Sequence, residues 1–235
     1  MPVTIHPAPP SDLMPAEIHR WLAVPVAIAV DLALHGGQID PSIRPLRPAG
    51  HQGRLFGRAV TALCEPPDFG AVLHALDLVA PGEVLVIAAA GHAETAMIGE
   101  ILGGHLRRRG ACGLVCDGAI RDVATLAGWD DFPVFTRYVT PRGPSAAERG
   151  AVNRPVIVGG CLVTPGDLVI GDDDGLVSLT PSAVRGRIGD AEAKLALEAE
   201  WQAHLAGGRS VRETFGLASA RGDDTGSPST QVSMP

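Results

Sequence analysis

The sequence predicts an α/β fold, with a parallel layer in its middle third and antiparallel hairpins after it. Three observations predict this. Residues 84–88 (VLVIA) form a continuous apolar run, as expected of a strand covered on both faces. Between that run and the next one, 113–116 (GLVC), lies a stretch with apolar residues at helical spacing. Beyond residue 155 the apolar runs become short and are separated by glycines and acidic turns. Strand–helix–strand repeats build a parallel layer with right-handed crossovers, whereas closely spaced short strands pair antiparallel.

The elements follow in order. Residues 1–10 hold four prolines and read as an extended arm, 11–218 as one globular domain, and 219–235 as a polar, disordered tail. Ser11 or Asp12 is placed to cap a short helix reaching Arg20 or Leu22. Residues 26–35 form an apolar helix stopped by Gly36-Gly37, and 40–53 is a loop with prolines at 41, 45 and 48. Residues 58–63 (RAVTAL) are a strand and 69–78 a helix, with apolar residues at 69, 72, 73, 76 and 79. After the strand at 84–88, Gly91 is expected to end it, and a helix to run on to Arg109 with three arginines in its last turn. The strand 113–116 is followed by a turn at Asp117-Gly118, a short helix beginning near 120–122, and a strand at 133–136. Short strands at 156–159, 161–164, 168–170 and 176–179 complete the hairpins, and a long helix runs from Pro181 to about Leu205.

Composition narrows the function classes. The 235 residues are 46% hydrophobic and 19% charged, which excludes global disorder. A net charge of −7 argues against a nucleic-acid binder working through a basic face. Only 4% of residues are aromatic, so the core must be built from Val, Leu, Ile and Ala. Four cysteines without a paired pattern suit a reduced compartment. The opening MPVTIHPAPPSDL lacks a basic region and an apolar core, and no apolar run is long enough to span a bilayer. The expectation is a cytoplasmic protein without membrane contact.

Two short stretches carry the chemistry. Gly99-Glu100-Ile101-Leu102 and Arg121-Asp122 each lie just after an apolar strand, where parallel α/β layers bind ligands. A helix start offers unpaired N–H groups and a positive dipole end to a carboxylate. Arg121 adds a fork of donors for the same group, and Asp122 a hard oxygen ligand. Mg²⁺ keeps several waters and takes only one or two protein carboxylates, so Asp122 as direct ligand with Glu100 holding a metal-bound water is chemically sensible. The competing reading is a surface ion pair or a helix cap.

The motifs GEILGG, GLVCDGAIRD, FPVF and PVIVGG-x-x-VTPGDLVIGDDDGLV together resemble the RraA-like family, over about Val26 to Leu217. That family includes class II pyruvate aldolases acting on 4-hydroxy-4-methyl-2-oxoglutarate and 4-carboxy-4-hydroxy-2-oxoadipate. The resemblance implies an α/β/β/α fold with a swivelling-domain layout and assembly as a homotrimer or homohexamer. It implies a divalent metal, Mg²⁺ or Mn²⁺, on Asp122, a water held by Glu100, substrate contact by Arg121, and backbone N–H groups near Gly99, Ile101 and Leu102 for the pyruvate carboxylate. It further implies a glutamate from the adjacent subunit's C-terminal helix, for which Glu198 fits best and Glu200 is the alternative. The implied reaction is retro-aldol cleavage of a 4-hydroxy-2-oxo diacid, with oxaloacetate decarboxylation as a side activity.

One departure bears on the substrate. Aldolases of the family usually carry an acid three residues after the aspartate, where this chain has Thr125. Another branch, regulators that inhibit an endoribonuclease through a protein contact, typically lacks the metal-binding pair, so Asp122 favours the enzyme branch. A related metal enzyme on a different oxo or hydroxy acid stays open. Elsewhere, Cys112 and Cys116 read as small core residues, not zinc ligands. The run Asp172-Asp173-Asp174 reads as a hairpin turn, because no glutamate follows at calcium-loop spacing. His92 lies in the glycine turn after VLVIAAAG, either as a turn residue or as a proton donor to the site.

Overall fold

A computed structural model describes residues 2–9, 13–33 and 36–218. The cap at Ser11 or Asp12, the end of the second helix at 34–35 and the tail at 219–235 lie outside the described residues. The chain divides after Lys194 into two compact units. In the first, β1 (Thr4–Ile5), α1 (Pro15–Arg20), α2 (Val26–Leu32) and β2 (Arg44–Pro45) precede the parallel layer. That layer consists of β3 (Leu55–Leu63), β4 (Glu83–Ile98), β5 (Gly113–Ile120) and β6 (Val134–Val139). Its connections carry α3 (Gly70–Leu76), α4 (Glu100–Arg108) and α5 (Val123–Ala127). Then come β7 (Ala151–Val152), the hairpin β8 (Val156–Val158) with β9 (Cys161–Val163), and the hairpin β10 (Leu168–Asp172) with β11 (Gly175–Leu179). The start of α6 (Pro181–Ala206) closes the unit.

Among the described residues nine strands form one sheet, in the order β1-β7-β3-β4-β5-β6-β2, with β10 joining antiparallel to β3 and to β11. The mixed α/β class and the antiparallel hairpins are therefore as expected. Strand alternation explains the layering. In β4, Leu85, Ile87 and Ala89 face one core with Val72, Leu76 and Leu106 from the helices. Val84, Val86 and Ala88 face a second core with Val158 and Val163 of the β8–β9 hairpin. A strand buried on both faces needs a continuous apolar run, and VLVIA is that run.

Two local readings need correction. β4 does not end at Gly91, and 92–98 is not helical. The strand continues to Ile98 through register shifts after Ala88, pairing His92, Ala96 and Ile98 with Gly118, Ala119 and Ile120 of β5. Likewise Asp117-Gly118 is not a turn. Asp117 is 5% exposed inside β5, and its carboxylate takes the Arg137 Nε at 2.6 Å and the Gly159 N–H at 2.7 Å. Burial works against the Arg137 charge, yet the bonds to Asp117 and Asp40 hold its pKa above the ordinary value. Gly118 is there because β4 passes close: a Cβ would meet that of Ala89 at 2.8 Å.

The acidic triplet is a hairpin turn as read. Asp172 accepts from Val26 N–H at 2.9 Å, at the start of α2, and from Asp174 N–H at 3.0 Å. Cys116 is buried and Cys112 half-buried, and burial pushes both thiols up. In the second unit, from Leu195 on, α6 continues and α7 (Val211–Phe215) follows, with the Trp201 and Phe215 rings 4.8 Å apart and tilted by 59°. No described helix is long and apolar enough to cross a membrane.

Candidate functional site

β4 and β5 run side by side and end together, so the residues that follow them are brought to one edge. Gly99 precedes α4, and Arg121-Asp122 precedes α5. There Glu100 N–H donates to Asp122 Oδ2 at 3.1 Å, joining the two helix starts. Arg121 Nε lies 3.5 Å from the same oxygen. Asp122 sits in the left-handed region, at φ 58° and ψ 38°. Its side chain makes no bond to cap α5 and is turned toward α4 instead.

Beside this cluster opens a cleft of about 210 Å³, lined by Gly99, Ile101, Leu102, Arg121 and Asp122 on one side. Phe69, Met97 and Pro144 supply apolar wall. The predicted residues Gly99, Ile101, Leu102, Arg121, Asp122 and Glu100 are thus gathered at one place. The first-turn N–H groups of α4 have no acceptor inside the helix and carry its positive dipole end. Gly99 is required by the approach: a Cβ there would run into the Asp122 carboxylate and lie 2.9 Å from Arg121 Cγ. Arg121 remains part-exposed, with the Gly143 backbone packed beside its guanidinium.

The donor set suits a hard cation that retains water. Among the described residues no three His, Cys, Asp or Glu gather into a metal cage. What the cleft rim does hold is the Asp122 carboxylate, bonded to the main-chain N–H of Glu100, and Mg²⁺ or Mn²⁺ takes only one or two carboxylates from a protein when substrate and water complete its shell. The residues present therefore fit such an ion.

Glu198, predicted to act from a neighbouring subunit, lies half-buried on α6 in the second unit. The alternative, Glu200, lies 3.6 Å from His204 Nε2. His92 Nε2 is engaged within its own segment, 3.1 Å from the Thr95 N–H and 2.8 Å from the Thr95 hydroxyl.

Sequence reasoning missed three residues. Thr125 donates its hydroxyl to Glu100 Oε2 at 2.7 Å, where the sequence suggested only a lost acid. Pro144 walls the cleft. Asp68, 1% exposed, clamps the loop that carries Pro144. A lone acid between Pro67 and Phe69 gives no signal of that task.

The fold and cleft define a class: α/β proteins with a ligand-sized opening past the C-terminal ends of parallel strands. The chain belongs to the RraA-like family, whose model (Aldolase/RraA) matches residues 26–178. It is similar to a Halalkalibacterium halodurans protein provisionally named 4-hydroxy-4-methyl-2-oxoglutarate aldolase, at 35% identity over 131 residues. That alignment spans 56% of this chain and 62% of the relative. Among solved structures it resembles one from Pseudomonas syringae pv. tomato, with TM-score 0.75 and 22% identity over 86% of this chain and 98% of that one. It also resembles Streptomyces coelicolor RraAS2, described as an unusual member of the RNase ES inhibitor RraA protein family, with TM-score 0.70, 27% identity, and 79% and 96% coverage.

Proposed function

We propose that the chain is a class II C–C lyase that cleaves a 4-hydroxy-2-oxo diacid and releases pyruvate. The observation that carries this reading is the bonded pair Glu100–Asp122 with Arg121, on the rim of a cleft floored by a helix N-terminus. The relative named for 4-hydroxy-4-methyl-2-oxoglutarate aldolase supports it.

The carboxylate of the 2-oxo acid binds the first-turn N–H groups of Ile101 and Leu102, and the Arg121 fork grips the same end. The apolar wall keeps water from the pyruvyl carbons. Glu100, or a water it holds, takes the proton of the 4-hydroxyl as the C3–C4 bond opens. The bond's electron pair stays with the three-carbon fragment, which leaves as pyruvate once C3 is protonated. Asp122 would hold a divalent ion, Mg²⁺ or Mn²⁺, directly, and Glu100 and Glu198 of an adjacent subunit in a homotrimer or homohexamer would hold it through water; bound there, it would supply Lewis acidity for the charge that develops on the 2-oxo oxygen. Loss of CO₂ from oxaloacetate leaves the same three-carbon anion, so decarboxylation is expected as a side activity.

The test is the purified full chain with Mg²⁺ and 4-hydroxy-4-methyl-2-oxoglutarate, pyruvate being read through lactate dehydrogenase. Pyruvate release should vanish with EDTA and return with Mg²⁺ or Mn²⁺. No release above the blank from this substrate, from 4-carboxy-4-hydroxy-2-oxoadipate or from oxaloacetate overturns the reading. In the same assay Gly99→Ala, by displacing the Asp122 carboxylate, should lower kcat/KM about a hundredfold, the scale of a misplacement near 1 Å.

A second reading, a non-catalytic regulator of a protein partner, is favoured by the likeness to RraAS2. A stoichiometric partner retained in EDTA would support it. A melting shift produced by oxalate only when Mg²⁺ is present would count against it.

A further inference from the structure

At the rim of the cleft the hydrogen bonds close a ring. Glu100 N–H donates to Asp122 Oδ2 at 3.1 Å. Thr125 Oγ1–H donates to Glu100 Oε2 at 2.7 Å. Thr125 N–H returns to the Asp122 carbonyl oxygen at 3.1 Å. Three residues from two helix starts thus hold one another, and two of them are the acids read as the cation's partners.

We propose that Thr125 is a positioning residue that presets the Glu100 carboxylate beside Asp122 for a divalent cation. This rests on the reading given under Proposed function. An exposed glutamate at a helix start has several rotamers of similar energy and loses that freedom when it must serve a site. A bond of 2.7 Å is in the range of charge-assisted O–H···O⁻ contacts, which are about twice as strong as neutral ones. The donor is β-branched and stiff at χ1, and its backbone is pinned to Asp122 itself, so the direction it imposes on Glu100 is referenced to the metal-ligating residue. Partners one shell out from a metal fix ligand orientation in this way, and losing one typically lowers metal affinity 10–100-fold. The hydroxyl also leaves Glu100 as the acceptor. A carboxylate at position 125 would set two like charges against each other and keep them apart unless they shared a proton.

The role belongs to the hydroxyl, not to packing. Thr125 is exposed, and the neighbour that enters the core is Leu126. Thr125→Val keeps shape and removes the donor; Thr125→Ser keeps the donor and removes the methyl group.

The experiment is calorimetric titration of the full chain with Mn²⁺ alone, with melting curves in EDTA as the second readout. Thr125→Val should weaken Mn²⁺ binding about tenfold. Thr125→Ser should stay within about twofold of the parent, and all three proteins should melt together in EDTA. The proposal is overturned if the valine variant binds Mn²⁺ like the parent, if serine fails to rescue, or if the loss in affinity is matched by a fall in the EDTA melting temperature. A parent protein that binds no Mn²⁺ overturns the metal-enzyme reading itself, which is a separate result.

Discussion

Asp122→Asn is expected to reduce Mn²⁺ affinity and pyruvate release by more than about a hundredfold while leaving the melting temperature in EDTA unchanged. The backbone argues for this substitution over alanine. Asp122 occupies the left-handed region, at φ 58°, which asparagine adopts with little cost and alanine does not. The bond from Glu100 N–H falls on a single oxygen, Oδ2, and an amide oxygen there accepts it equally well. The bond from Thr125 N–H falls on the main-chain oxygen of residue 122, so the ring persists. What the change removes is the negative charge, with Arg121 Nε left 3.5 Å from a neutral amide. A direct ligand contributes more than the outer partners whose loss costs 10–100-fold, so the drop should exceed that range. The pair of readouts matters: a variant that melts early has lost a fold contact, whereas one that melts normally and binds no Mn²⁺ has lost a ligand. Retention of Mn²⁺ affinity by this variant would remove Asp122 from the metal site.

Most of the layer was legible because burial on two faces leaves a direct mark. VLVIA and GLVC are apolar at every position or nearly so, and a parallel strand between two cores requires that. The site was legible for a related reason: Gly99-Glu100 and Arg121-Asp122 follow β4 and β5 directly, and neighbouring parallel strands end on the same side. The second half of β4 was not legible. Its sequence, AAAGHAETAMI, is rich in helix formers, and the strand wins through partners far along the chain. Ala96 N–H reaches the Arg142 carbonyl oxygen at 2.8 Å, and Ile98 pairs with Ile120. Asp117 reads as a turn residue because Asp-Gly is a strong turn signal. Its partners, Arg137 and the Gly159 N–H, lie 20 and 42 residues away. Thr125 shows the limit most clearly. In the sequence its side chain shows only the charge it lacks, and geometry alone reveals the donor it offers to Glu100.

The largest effect on stability is expected at Asp68, outside the set of site residues read from the sequence. Its carboxylate accepts main-chain N–H groups of Gly70 at 2.8 Å, Glu148 at 3.0 Å and Arg149 at 3.1 Å. Phe69 N–H adds a bond to the Ala146 carbonyl oxygen at 3.0 Å, so the start of α3 and the loop after β6 are locked together. That loop carries Pro144 into the cleft wall. Asp68→Ala leaves three donors without their acceptor at a site that is 1% exposed. At about 1 kcal/mol for each the loss is about 3 kcal/mol, or a melting temperature lower by about 10 °C. Asp68→Asn, whose single oxygen can take the Oδ1 bonds, should fall by about a third of that. The pH dependence has a definite sign. Burial pushes the Asp68 pKa up, but the bonds from Glu148, Gly70 and Arg149 outweigh it and hold the group below its ordinary 3.8. A depressed folded-state pKa means stability that is present above the unfolded value and is lost as pH falls through the folded one. The gap in melting temperature between parent and Asp68→Asn should therefore be constant from pH 7 down to about 5 and narrow below about 4. Melting curves across that range test it, and a gap that widens in acid would show that the carboxylate is not held as the charged clamp of the cleft loop.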